Sequence, residues 1–88
     1  MSYRNDLKWQ RELSRFDPNE QKVLLALSHE KYRWRTRDRL AEVTRLEPQD
    51  LDHVLAGLLE KDVIRPSFSK NRNLIYALKE RVGNPNNR

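Results

Sequence analysis

The chain is short, basic and rich in charge. Its 88 residues include 18 Lys and Arg against 13 Asp and Glu, a net charge of +5, and the charged and hydrophobic fractions are 35% and 36%. This length predicts one small domain with a small core, and the lack of cysteine excludes a disulfide framework and a thiolate metal site. No run approaches the length of a membrane span and no signal peptide is visible, so we expect a cytoplasmic protein.

The N-terminal segment, residues 1–16, is predicted to be a helical extension. Trp9, Leu13 and Phe16 recur at i, i+4 and i+7, which indicates a helix over about residues 5–15. The apolar side of such a helix needs a cover. Two hypotheses supply one: the extension folds back over its own domain, or it joins a second copy in a homodimer formed through residues 1–27.

The next helix has clear boundary signals. Asp17, Pro18 and Glu20 have the spacing of an N-cap, a first helical residue and a capping-box partner. The helix should run to about Ser28, and Leu25 should point outward by the helical period of 3.6 residues. The positions expected to face inward are Val23, Leu24 and Leu27.

The segment KYRWR, Lys31 to Arg35, alternates basic and aromatic residues. On a strand, Tyr32 and Trp34 share one face and the cations share the other. In the first hypothesis the two rings pack on the core while the cations face water. In the second, rings and cations together bind nucleic acid through stacking and phosphate contacts.

Two further helices with a short break between them form a helix-turn-helix pattern. Thr36 suits the N-cap of the first, and Pro48 suits the first position of the second. The second helix has an apolar stripe at i, i+3, i+4, i+7 and i+8, formed by Leu51, Val54, Leu55, Leu58 and Leu59. Its solvent face is expected to show Gln49, His53, Ala56, Gly57 and Glu60.

A β-hairpin is predicted over about residues 63–78. Two segments with a period of two flank the polar loop SKNRN, Ser69 to Asn73. One core should unite this hairpin with the helices. Its predicted members are Leu40, Leu51, Leu55, Leu58, Ile64 and Tyr76.

Three helices followed by a hairpin with a basic loop resemble the winged helix-turn-helix superfamily. LLEKDVIRP, residues 58–66, is similar to that family's junction between the third helix and the first wing strand. The resemblance covers residues 17–82 and leaves residues 83–88 as a disordered tail. It implies a mainly α fold with a small β-hairpin wing, DNA binding, and often dimerisation through an additional N-terminal helix. Asp62 stands where many members of the family have glycine.

Charge is distributed in blocks. Residues 31–45 contain six cations and two carboxylates, and residues 65–81 contain five cations and one carboxylate. Residues 46–62, which include the third helix, contain one cation and five carboxylates. Basic segments around a wing are typical of nucleic-acid binding, whereas carboxylates near phosphates reduce affinity. We therefore expect phosphate contacts from the wing and the second helix.

The leading hypothesis is a winged-helix transcriptional regulator that binds double-stranded DNA. Lys70 and Arg72 on the wing would contact phosphates or a minor groove, and Gln49 and His53 would touch bases. The residues expected to contact the backbone beside the third helix are Arg35, Arg37, Arg39 and Arg45.

Two alternative functions remain open at this stage. In one, a protein partner docks on the acidic third helix, where Ala56 and Gly57 make a flat area. In the other, KYRWR binds a structured RNA. Catalysis has little support, because His29 and His53 lack any metal-ligand or catalytic spacing and the chain has no glycine-rich phosphate loop. We expect neither enzymatic activity nor a cofactor.

Overall fold

The order of helices and strands is that of a winged helix in the computed structural model, which describes residues 3–83. The sheet is antiparallel with strand order β1-β3-β2. The predicted fold class, mainly α with a small hairpin wing, is therefore confirmed. The elements are α1 (Pro18–Ala26), β1 (Arg35–Thr36), α2 (Arg37–Thr44), α3 (Pro48–Glu60), β2 (Ile64–Phe68), β3 (Leu74–Leu78) and α4 (Lys79–Val82). Of the predicted tail, residues 84–88 lie outside the described residues.

Helix α1 begins with the predicted capping box. The Asp17 carboxylate accepts a hydrogen bond from the Glu20 N–H at 2.8 Å, and the Glu20 carboxylate accepts one from the Asp17 N–H at 3.0 Å. Pro18 occupies the first turn, where its missing N–H is not needed. Leu25 is 44% exposed, as the helical period predicts.

Helix α2 is held at both ends. The Thr36 hydroxyl caps α2 by accepting from the Arg39 N–H at 3.0 Å. At the other end Arg45 adopts a left-handed conformation, with φ of 61°, and its N–H donates to the Ala41 carbonyl at 2.9 Å. Pro48 then starts α3 in the predicted position.

Helix α3 ends at the position where the resembled family often has glycine. Asp62 has a φ of 60°, so it adopts the left-handed conformation that glycine usually supplies. Its N–H donates to the Leu59 carbonyl at 3.0 Å, and the Val63 N–H donates to the Leu58 carbonyl at 3.2 Å. These two bonds form a Schellman motif. The Lys79 ammonium pairs with the Asp62 carboxylate and ties this turn to α4.

The predicted core is confirmed. Leu55 is 3% exposed, and the other five predicted members are also buried in one cluster with it. Cα partners across the hairpin run from Ile64 and Leu78 at the core end to Phe68 and Leu74 at the loop end. Leu59, the last residue of the predicted apolar stripe of α3, is exposed instead at 37%.

The N-terminal segment differs from the predicted continuous helix. It forms two short 3-10 helices, Lys8–Arg11 and Leu13–Arg15, because Glu12 has a φ of −125° that interrupts helical geometry between them. Trp9 and Phe16 are each only 5% exposed and belong to the domain's own core, while Leu13 is 46% exposed. The fold-back hypothesis is therefore correct for these two aromatic residues.

Polar contacts fix this segment against the rest of the chain. The Trp9 indole N–H donates to the Ser28 hydroxyl at 2.9 Å, and the Glu80 carboxylate accepts from the backbone N–H groups of Lys8 and Trp9 at 2.6 and 3.1 Å. Helix α4 thus supplies the carboxylate that the free N–H groups of the first 3-10 helix require.

The KYRWR segment contradicts the predicted alternation. Only Arg35 and Thr36 form a strand, Arg35 is buried at 8% exposure and Tyr32 is exposed at 53%. The Arg35 Nε donates to the Ala26 carbonyl at 2.9 Å, and its guanidinium lies 5.2 Å from the centre of the Tyr32 ring. Arg35 therefore satisfies a carbonyl left free at the C-terminal end of α1. This structural role differs from the contact with nucleic acid that was predicted for Arg35.

Gly57 faces a side chain of its own chain. A Cβ added at Gly57 would lie 3.1 Å from Oε2 of Glu20. Glu20 is only 5% exposed, and its carboxylate is held by the Lys61 ammonium at 2.8 and 3.0 Å. The carboxylate therefore has little freedom to move away from a larger residue.

We predict that Gly57→Ala has opposite effects in two backgrounds. In the wild-type chain it should lower the free energy of unfolding, because the new methyl group crowds the Glu20 carboxylate. With Glu20→Ala it should raise the free energy of unfolding by about 1 kcal/mol, the propensity difference between Ala and Gly in a helix. Urea unfolding of the four proteins measures both effects. Equal stabilisation in both backgrounds would contradict this account.

Candidate nucleic-acid interface

The wing loop is held in a defined turn. The Arg72 N–H donates to the Ser69 carbonyl and the Ser69 N–H to the Asn73 carbonyl, each at 2.9 Å. The Ser69 hydroxyl also accepts from the Asn73 N–H at 3.2 Å. Arg72 has a φ of 63°, which lets the chain reverse without glycine. Lys70 and Arg72 are both exposed on this turn.

Of the four cations on or directly after the hairpin, two are committed to structural contacts and two are not. The Arg65 Nε donates to the Gly83 carbonyl at 2.7 Å, and Lys79 pairs with Asp62. Within residues 3–83, the Lys70 and Arg72 side chains have neither an ion pair nor a hydrogen bond. The sequence from 63 to 79 contains no carboxylate at all. The loop end of the wing is therefore a local concentration of positive charge.

Arg37, predicted to contact the DNA backbone, is engaged by a side chain of its own chain. Its guanidinium makes a two-point ion pair with the Asp52 carboxylate of α3, at 2.6 and 3.0 Å. The hydrogen bond between these side chains lowers the pKa of Asp52 and raises the pKa of Arg37. This pair joins α2 to α3 and neutralises one carboxylate on the solvent side of the third helix.

The other predicted backbone contacts lie on or just after α2. Arg39 is exposed and pairs with Glu42 on the same helix. Arg45 is exposed at the left-handed turn before α3. Exposed ion pairs of this kind contribute little to stability, so Arg39 can exchange its carboxylate for a phosphate at small cost.

The predicted base-contacting residues are accessible. Gln49 and His53 are exposed on α3, and Asp50 is exposed in its first turn. A carboxylate there is favoured by the positive end of the helix dipole. A cleft of about 230 Å³ brings the start of α2 together with the wing, since it is lined by Thr36, Arg37, Asp38, Asn73 and Leu74. The wing therefore adjoins the helix that carries Arg37.

One surface residue was missed by the sequence-based prediction. Phe68 is 70% exposed at the loop end of β2, although the alternating pattern places it on the same face as buried Ile64. A period of two assigns a face to a residue. It gives no indication of how far a hairpin extends beyond the core, so no sequence signal marked this exposure.

Metal-ligand clusters and membrane-spanning helices are both absent from the described part of the chain. Among residues 3–83, no group of three or more His, Asp or Glu side chains is placed to hold a metal ion. No helix in the same range combines the length and apolarity that crossing a membrane requires.

We predict that the Arg37–Asp52 pair is measurable in solution. Arg37→Ala should raise the pKa of Asp52 toward that of an ordinary carboxyl, because the hydrogen bond that favours its ionised form is removed. Since the folded pKa is the lower one, the pair's stabilisation is present above the unfolded-state pKa. It is lost as the pH falls through the folded pKa. Carboxyl NMR titration measures the shift.

The matched control for that titration is Arg39→Ala. It removes an exposed arginine of the same helix that pairs with Glu42 and not with Asp52. We expect it to leave the Asp52 titration unchanged. The same Asp52 midpoint in wild type and Arg37→Ala would show that the pair does not persist in solution.

Comparison with known proteins yields one solved structure of similar fold. Neither the protein-family models nor the curated proteins give a match. The crystal structure of ZitR from Lactococcus lactis, a zinc-responsive MarR family member, is similar with a TM-score of 0.66 and 22% sequence identity. The match covers 92% of this chain and 51% of that one, so the chain spans about half the length of its structural neighbour. Sequence pattern, strand topology and this likeness agree that the chain has the winged-helix fold.

Proposed function

We propose that this chain binds duplex DNA and acts as a transcriptional regulator in the cytoplasm. The observation that carries the proposal is the exposed pair Lys70 and Arg72, which lacks carboxylate partners within residues 3–83 on a hairpin free of acidic residues. Cations placed on phosphates release condensed counterions, which provides sequence-independent affinity. The likeness to a MarR family structure supports a role in regulation.

The acidic third helix opposes this function less than its composition suggests. Asp52 is already neutralised by Arg37, and Asp50 lies in the first turn, where it complements the helix dipole. Gln49 and His53, which precede and follow these two carboxylates in the sequence, are exposed. We propose that these two residues contact base edges, because side-chain amides and ring nitrogens can hydrogen-bond there.

Phosphate contacts from α2 complete the proposed interface. Arg39 and Arg45 are exposed, and Arg37 lies beside the wing in the shared cleft. Arg37 is proposed as a positioning residue that orients α2 and α3, because its guanidinium is engaged by Asp52.

The two alternative functions gain no specific support. Gly57, part of the flat area on which a protein partner was expected to dock, faces the Glu20 carboxylate of the same chain. The RNA hypothesis used the KYRWR segment, and one of its three cations, Arg35, is buried and bound to a carbonyl. We accordingly propose a binding protein without catalytic activity whose ligand is duplex DNA.

We predict that Lys70→Ala with Arg72→Ala weakens binding to all duplexes alike. The slope of log K against log salt should become shallower by about 0.9 for each phosphate that is no longer neutralised. Fluorescence anisotropy with a labelled duplex at several salt concentrations measures both quantities. The control, Lys8→Ala with Lys22→Ala, removes the same charge from exposed positions on the N-terminal segment and α1. It should change the slope much less.

Two outcomes would contradict the DNA proposal. One is a folded wild-type protein with no measurable affinity for any duplex at low salt. The other is an equal decrease of affinity and slope in the wing variant and its control, since that would indicate a response to net charge alone.

We also propose a homodimer formed through residues 1–27. Leu13 and Leu25 are 46% and 44% exposed. The Gln21 side chain donates to the Leu13 carbonyl at 3.4 Å, and Leu25 lies one helical turn after Gln21. The two leucines therefore border the same side of α1, where a second copy can cover them.

We predict that Leu25→Glu converts the dimer to a monomer in sedimentation equilibrium, because the substitution places a charge in the apolar contact. Val43→Glu is the control, since Val43 is 41% exposed on α2 and lies outside this surface. It should leave the mass unchanged. A wild-type protein that is monomeric at high concentration would overturn the homodimer.

A further inference from the structure

The wing carries an exposed apolar pair immediately behind its cations. Phe68 and Leu74 are Cα partners on the last rung of the hairpin, and they are 70% and 37% exposed. On the rung at the opposite end, Ile64 and Leu78 are 3% and 0% exposed. The apolar face of the hairpin thus continues past the core and ends in an uncovered aromatic ring.

The surroundings of this ring are positive. The loop that follows Phe68 contains Lys70 and Arg72, and no carboxylate occurs between residues 63 and 79. A protein partner that covered the ring would have to place carboxylates opposite Lys70 and Arg72 as well. A nucleic acid combines the required features in one ligand, since its phosphates face the cations and its bases and sugars offer an apolar surface.

We propose that Phe68 is an apolar wedge that enters the minor groove of duplex DNA and partly unstacks a base step. This inference rests on the proposed function. It adds apolar insertion by Phe68 to the phosphate contacts already proposed for the wing. The hydrogen-bonded turn of Ser69 to Asn73 holds the cations beyond the end of the strand that carries the ring. With Lys70 and Arg72 on the two phosphate backbones, the proposed wedge would occupy the groove between them. Insertion of apolar side chains at flexible steps is an established way for proteins to kink DNA.

The wedge predicts a response that phosphate contacts do not give. Phe68→Ala should weaken duplex binding on the order of tenfold, which corresponds to the stacking of about one base on an aromatic ring. The slope of log K against log salt should stay unchanged, because no charge is removed. Phe68→Leu, which keeps an apolar side chain, should recover part of the affinity.

The experiment measures binding and unstacking together. Duplexes containing 2-aminopurine at successive positions are titrated with wild type, Phe68→Ala, Phe68→Leu and the control Leu59→Ala, which shortens another exposed apolar residue. We expect wild type to raise 2-aminopurine fluorescence at a pyrimidine–purine step and Phe68→Ala to abolish the rise. Leu59→Ala should behave as wild type.

Three outcomes would overturn the wedge, and they are distinguishable. If wild type binds but Phe68→Ala matches it in affinity and fluorescence, the wedge is wrong and DNA binding stands. If wild type binds no duplex at low salt, the proposed function fails and the wedge fails with it. If Phe68→Ala instead lowers self-association in sedimentation, the ring belongs to a contact between protein copies.

Discussion

The ion pair between the buried Glu20 and the partly exposed Lys61 is the constraint on which the rest of the structure depends. The Glu20 carboxylate is 5% exposed, and the Lys61 ammonium donates to both of its oxygens, at 2.8 and 3.0 Å. A carboxylate removed from water needs a partner and further hydrogen bonds. Lys61 also donates to the Arg15 carbonyl at 2.8 Å and lies 5.3 Å from the centre of the Phe16 ring. One ammonium group therefore joins the N-terminal segment, the start of α1 and the end of α3.

This pair also determines where the wing begins. Lys61 is the C-cap of α3, and Asp62 directly after it turns the chain into β2 through its left-handed conformation. Because the Lys61 ammonium is bound to α1, the end of α3 cannot shift along that helix without exposing or isolating the Glu20 charge. The direction in which the hairpin leaves the domain follows from an interaction far from the wing loop.

The positive charge of the chain serves two separate purposes. Arg35 and Arg81 point inward and donate to backbone carbonyls at the C-terminal end of α1, those of Ala26 and Leu27. Helix α1 has no basic residue in its own last turn, so distant arginines complement its dipole. Cations used in this way contribute to the fold and are not available to a ligand. The net charge therefore overstates the cations that can contact phosphate.

Local signals in the sequence were sufficient for most of the fold. The capping box at Asp17 and the alternation of the hairpin predicted their elements correctly, because each depends on contacts within a few residues or on periodic burial. The prediction was wrong for KYRWR, where β1 has only two residues and the partner of Arg35 is a carbonyl nine positions away. Periodicity carries no information about such a partner.

The candidate site was predicted in outline, and its details depended on tertiary contacts. Lys70 and Arg72 could be identified from the sequence as exposed cations, because a polar loop that joins two strands is expected to lie at the surface. The partner of Arg37 could not, since Asp52 lies 15 residues later and reaches it only when α2 and α3 are packed. The same contact reduces the charge conflict on α3 that composition alone implied.

Three turns of this winged helix adopt the left-handed conformation without glycine. Arg45, Asp62 and Arg72 each have a φ near 60°, a conformation that is unfavourable for residues with a side chain. Each is held by backbone hydrogen bonds that would break if the residue relaxed. A wing held in this way needs little ordering when a ligand arrives, and lower ordering entropy leaves more of the contact energy as affinity. The left-handed turns thus hold two exposed cations, Arg45 and Arg72, in position before a ligand binds.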